Sequence, residues 1–202
     1  MKKVSATLLL ISICSSGLHA QGLDLGIKAG VNIANQKLSG DFDPDTKAKI
    51  GFHGGVFVTW MFSEKLGLQP EVLFSMQGSK DNEDSYDYSI VSNYLTIPVL
   101  VRYDINDMFS VHAGPQFGLL LSAEEEFNGD KDDIKDDFKG TDIGIALGLE
   151  ADDLPLNLGI GARYIFGVTN VLEEGSSFLD TELKNGVFQI YVKLRLIKGS
   201  ED

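Results

Sequence analysis

The sequence predicts an all-β fold: an eight-stranded antiparallel transmembrane β-barrel with short periplasmic turns and long extracellular loops. Three observations predict it. Apolar and polar residues alternate with a period of two in eight segments, short and long connections alternate between those segments, and glycine is concentrated on the polar face of the strands.

The chain opens with Lys2 and Lys3, an apolar stretch from Val4 to Ile13, and Leu18-His19-Ala20 before Gln21. That order reads as a secretory signal peptide over residues 1–20, too short to span a membrane as a helix. Cys14 is the single cysteine, and the large Ile13 before it argues against a lipid-attachment site. Cleavage would remove it and leave residues 21–202 as one domain without thiol or disulfide chemistry. Loss of Lys2 and Lys3 takes the formal charge from −13 to −15. Nucleic acid, itself a polyanion, is therefore excluded as a partner.

The first strand runs from Leu23, with Leu25, Ile27, Ala29 and Val31 on one face and Asp24, Gly26, Lys28, Gly30 and Asn32 on the other. The last alternates Phe188, Ile190, Val192, Leu194 and Leu196 with Gln189, Tyr191, Lys193 and Arg195. Six more segments lie near 50–61, 66–78, 93–103, 108–122, 141–151 and 156–166. Each is about the length a tilted strand needs to cross a bilayer. Short polar turns are expected at Phe62–Lys65, Asp104–Asp107 and Asp152–Pro155, and long loops near 33–49, 79–92, 123–140 and 167–185. Three turns and four loops put both chain ends on the turn side, as an exported barrel requires.

A soluble ligand-carrying barrel also has eight strands, with its apolar face inside. Glycine separates the two arrangements. Gly26, Gly30, Gly55, Gly67, Gly114, Gly118, Gly144, Gly148, Gly159 and Gly161 share the polar face, and only a crowded small-barrel interior needs so many residues without side chains. The apolar face should then meet lipid. Trp60, Tyr103 and Phe109 would form one aromatic girdle near the turns, and Phe52, Phe74 and Phe166 another towards the loops. Pro70, Pro98 and Pro115 fall inside strands, where bulges or local bends are expected.

The segments Gly26-Ile27-Lys28-Ala29-Gly30-Val31-Asn32, Leu68-Gln69-Pro70-Glu71-Val72, Tyr94-Leu95-Thr96-Ile97-Pro98 and Ala113-Gly114-Pro115-Gln116-Phe117-Gly118 occur in this order. The chain resembles, over almost all of its mature length, the PorT-like outer-membrane β-barrel proteins of Bacteroidota. The resemblance accounts for the three prolines, which sit in that family's Pro-Glu, Ile-Pro and Gly-Pro motifs. It implies a small barrel of the bacterial outer membrane and supplies no catalytic residues.

On the inward face the sequence places Asp24, Lys28, Glu71, Arg102, Glu150, Arg163, Lys193 and Arg195. Buried charges are costly unless paired, so these residues are expected to form a salt-bridged interior network. No catalytic, cofactor-binding or metal residues are predicted. His53 and His112 are expected near opposite ends of their strands, too far apart to share a metal or a catalytic triad. Asp41, Asp43 and Asp45 have calcium-loop spacing, but Phe52 stands where the bidentate glutamate would be. The loops are acidic, with Asp81, Glu83, Asp84 and Asp87 in one and Glu124, Glu125, Glu126, Asp130, Asp132, Asp133, Asp136 and Asp137 in another. Their expected surroundings are outer-membrane lipid and lipopolysaccharide, and any protein partner would meet them. The function expected is that of a monomeric, non-enzymatic barrel serving envelope integrity, adhesion or surface recognition. The alternative is a narrow channel or an accessory of protein secretion across the outer membrane.

Overall fold

The computed structural model describes residues 23–38, 46–83, 86–127, 130–172 and 183–199. The signal-peptide reading and the Asp41, Asp43 and Asp45 reading lie outside the described residues. Among the described residues nine strands form one antiparallel sheet: β1 (Leu23–Leu38), β2 (Thr46–Met61), β3 (Leu66–Glu83), β4 (Tyr86–Asp104), β5 (Phe109–Phe127), β6 (Asp130–Asp133), β7 (Thr141–Leu154), β8 (Leu158–Gly167) and β9 (Leu183–Ile197). Pairing of β1 with β9 and of β4 with β5 closes eight of them into a barrel, while the short β6 only extends β5. Closure leaves the barrel wall no free edge, which a hydrocarbon environment demands of any β-structure.

The period-two pattern decides which way each strand faces. Every barrel strand presents apolar side chains outward, among them Ile27, Val56, Val72, Val101, Phe117, Ile145, Ile160 and Ile190, each 44–54% exposed. A continuous apolar belt of this kind is untenable in water and suited to lipid. Trp60, Tyr103 and Phe109 are exposed at its turn-side margin, and Phe52 and Phe166 at the other. Phe52 packs against Phe74 with ring centroids 5.8 Å apart. On β5, Phe117 lies eight residues beyond Phe109. A rise of about 3.4 Å per residue and a tilt of about 40° separate such girdles by roughly 20 Å, close to the usual apolar band.

The short turns close through local hydrogen bonds. Ser63 Oγ accepts from Leu66 N (2.9 Å), and Asn106 Oδ1 from Phe109 N (2.8 Å). The third turn differs from the expected Asp152–Pro155. Strand β7 continues to Leu154 through an irregularity between Ala151 and Leu154, and the chain reverses at Pro155–Asn157. Asp153, Leu156 and Asn157 all have positive φ there, a conformation unfavourable for leucine. Period-two reading cannot see such a bulge, because the extra residue breaks the period it relies on.

Much of the length expected as outer loops is strand. The β3–β4 ladder continues to Glu83↔Tyr86, and β5 pairs with β6 from Glu124↔Asp133 to Phe127↔Asp130. Beyond the bilayer both faces of a hairpin are wet, so the ladder persists after the hydrophobic alternation has ended. Phe138, Val171, Leu172 and Leu183 pack against Ile90, Tyr94, Leu120 and Ala123 to form a buried apolar cluster at the loop end. A register shift at Asn93/Tyr94 turns Ala123 to the same side as Ser92. This apolar cap was not expected from the sequence.

The prolines do not produce the expected bulges. Around each the register is the same on both sides, and the ladder merely skips two pairs: between Phe57↔Glu71 and Trp60↔Leu68, between Pro70↔Val99 and Leu73↔Thr96, and between Pro98↔Gln116 and Val101↔Ala113. Proline removes a donor without adding a residue, so a gap suffices.

Candidate functional site in the barrel lumen

The turn-side half of the lumen holds a connected group of charges. Glu71, from β3, accepts from Lys28 Nζ at Oε1 (2.6 Å) and from Arg163 Nη2 at Oε2 (2.9 Å). Glu150, from β7, accepts at Oε2 from Lys193 Nζ (2.5 Å) and Arg102 Nη1 (2.9 Å), with Lys28 Nζ 3.7 Å from its Oε1. Arg102 continues to Asp152 (2.6 Å) and Asp104 (2.7 Å), and Lys193 also meets Asp152 (2.9 Å). Four cations (Lys28, Arg102, Arg163, Lys193) thus face four acids (Glu71, Glu150, Asp152, Asp104), and the group is formally neutral.

Neutral polar groups add further hydrogen bonds to the network. Gln69 Nε2 donates to Glu71 (2.9 Å), and Tyr191 OH to Glu150 (2.8 Å). Gln189 Oε1 accepts from Arg163 Nε (2.9 Å), and its Nε2 donates to Asn32 (2.8 Å). The Lys28 ammonium lies 3.9 Å from the centre of the Tyr191 ring. Glycines leave room for these long side chains. A Cβ at Gly161 would come within 2.5 Å of the Tyr191 ring, and one at Gly26 would collide with the Phe57 ring.

Of the eight inward charges read from the sequence, the structure brings Lys28, Glu71, Arg102, Glu150, Arg163 and Lys193 together. Asp24 and Arg195 lie apart at the turn-side rim. Arg195 pairs there with the half-exposed Asp153 and stands 3.7 Å from Asp24, which accepts from Gly199 N (3.0 Å). Asp104 and Asp152 were assigned to turns, and the strand extension of β7 moves Asp152 inside. Gln69, Gln189, Asn32 and Tyr191 share the inward parity, but nothing in the pattern marks which polar residue meets which charge.

Because Asp153 is substantially solvated, the rim cluster is energetically minor. Arg195→Ala is expected to cost about 0–1 kcal/mol. A shift in the unfolding midpoint comparable to that of an interior charge variant would contradict this.

The two histidines each border the charge network. His53 Nδ1 contacts Asn32 Oδ1 (2.7 Å), which joins the network through Gln189, and His112 Nδ1 lies 4.0 Å from Glu150. Strand tilt and stagger, invisible in sequence spacing, bring both to its border. Ser110 is opposite Glu150 in register, so a serine, a histidine and an acid converge. No hydrogen bond joins them: Ser110 Oγ and both His112 nitrogens lack partners, and all three residues are at most 2% exposed. Catalysis by a triad needs a hydrogen-bonded nucleophile with access to substrate.

Residues 19–173 match the family described as "Outer membrane protein beta-barrel domain". The chain belongs to that family. The barrel therefore resides in the bacterial outer membrane, and its exposed apolar belt meets lipid. The fold is similar to neisserial surface protein A (TM-score 0.55, 14% identity, 87% of this chain and 100% of that one). It is also similar to Ail, the attachment invasion locus protein of Yersinia pestis, in complex with the heparin analogue sucrose octasulfate (TM-score 0.50, 17% identity, 87% and 99%). No curated protein matches the chain.

Proposed function

We propose that this outer-membrane barrel is plugged and non-enzymatic, and that it serves envelope integrity or surface recognition through its outer hairpins. The carrying observation is the lumen. Eight charges neutralise one another across it, and an apolar cap lies above them. Eight strands enclose only enough room for side chains, and here the side chains use it.

Recognition then falls to the hairpins. Glu124 stands opposite Asp133 and Glu125 opposite Asp132 in the β5–β6 ladder, so this surface is strongly acidic. The Ail structure contains a polyanionic heparin analogue. An acidic hairpin would repel a polyanion, so the partner here is a basic surface, or lipopolysaccharide bridged by divalent cations. Four motifs in order support placing the chain among PorT-like barrels, and the basic start followed by the apolar Val4–Ile13 stretch supports removal of residues 1–20 on export.

Planar-bilayer recording on the full mature chain tests the plugged lumen. No discrete conductance steps are expected. Regular steps would overturn the reading and favour the narrow channel, and the same barrel co-purifying with export machinery would favour a secretion accessory.

A further inference from the structure

The outer part of the sheet ends at β6. Among the described residues this strand pairs with β5 on one side and with no strand on the other. Ile134 N donates to Ala123 O (3.0 Å), and these two continue the register that runs from Glu124↔Asp133 to Phe127↔Asp130. Backbone groups alternate in direction along a strand, so Asp132 and Asp130 also turn to β5, while the N–H and C=O of Lys131 and Asp133 point away from it. All four residues of β6 are exposed. The edge stands clear of the bilayer: Phe127 lies ten residues beyond the girdle residue Phe117 on β5, a height of roughly 25 Å.

The two faces of this hairpin differ in charge. Ala123 and Ile134 pack into the apolar cap, so alternation puts Glu125, Asp132, Phe127 and Asp130 on the mouth-side face, where the ladder holds carboxylates and no cation. The other face holds Glu124, Asp133, Glu126 and Lys131, with Lys131 Nζ 4.0 Å from Glu124. Open strand edges are commonly kept from pairing by charge. Here the charge is of one sign, so it bars a second copy of the same edge and favours a strand of opposite sign.

We propose that β6 is the docking edge for an extended basic segment of another protein, which adds antiparallel to β6 as a further strand and carries lysine or arginine at every second position. This rests on the reading that the acidic hairpin meets a basic partner, and deepens it by naming the edge and the partner's pattern. Partner residues opposite Lys131 and Asp133 exchange backbone hydrogen bonds with them. The basic residues between them fall on the mouth-side face, beside Asp130 and Asp132.

The test is fluorescence anisotropy of a short labelled peptide that alternates threonine and lysine, titrated with the full mature chain in nanodiscs. Binding is expected. N-methylation of the threonine amides removes the donors aimed at β6 without changing charge, and is expected to weaken binding roughly tenfold, each lost bond counting severalfold. N-methylation of the lysine amides, which point away from β6, is expected to leave the affinity unchanged. Equal affinities for the two methylated peptides would overturn the docking edge and leave the basic-partner reading standing. No binding by any of the three would overturn both. Lys131→Pro removes an outward N–H and spares the ladder to β5, and is expected to weaken the unmethylated peptide severalfold. An unchanged affinity would overturn the proposal, and should this variant fail to fold, the methylated peptides decide.

Discussion

Glu150→Ala is expected to lower the stability of the folded barrel by about 3–5 kcal/mol, the usual cost of removing one partner from a buried ion pair. The carboxylate receives Lys193, Arg102 and Tyr191 at 2.5–2.9 Å, and Lys28 stands 3.7 Å away. Its removal leaves the lumen with an excess positive charge and three donors without their shared acceptor. Glu71→Ala should behave alike, since Lys28 and Arg163 would lose their shared acceptor. The measurement is the urea midpoint of the detergent-solubilised barrel, followed by its heat-dependent gel mobility. A midpoint equal to that of the native chain would show that the network contributes nothing to stability. Substituting an apolar residue of similar volume for a whole pair is a different experiment, and can be neutral, because it removes the desolvation cost together with the attraction.

Leu147→Arg should produce the second large effect. Leu147 is exposed on β7, midway between the register levels of Phe109↔Ala151 and Phe117↔Ile143, which places it near the centre of the apolar band. A charge at the bilayer midplane on the lipid face of a barrel costs about 2–4 kcal/mol. Folding into vesicles should fall by roughly 30- to 1000-fold in equilibrium constant. In a soluble barrel the same arginine on an exposed face would be harmless. Folding unchanged by the substitution would therefore contradict the lipid assignment of this face.

The prediction extends along the strand. Ile145 and Leu149, two residues to either side, should be less sensitive as they approach the headgroups. A flat response across the three positions would point to a packing defect and not to the bilayer.

The eight crossing segments and the direction each faces were legible in the sequence, because a side-chain period of two is a local property that any register preserves. The glycines on the polar face told inside from outside for a similar reason: crowding in a narrow lumen acts on every strand at once. The turns at Phe62–Lys65 and Asp104–Asp107 were legible to within a residue or so, as short polar interruptions between apolar runs. The third turn was not, since a bulge shifts the period just where it has to be read. The outer hairpins were read as loops because alternation ends at the headgroups although the backbone ladder does not.

The sequence by itself determined a closed antiparallel barrel, its lipid face, its inward charges and its acidic outer end. Only the tertiary structure decided how those charges pair, and that Asp104 and Asp152 join them while Asp24 and Arg195 stay at the rim. The physical reason is stagger. Neighbouring strands in a tilted, sheared barrel are offset by amounts set by closure of the whole ring. Residues far apart in sequence therefore meet at heights that no single strand encodes.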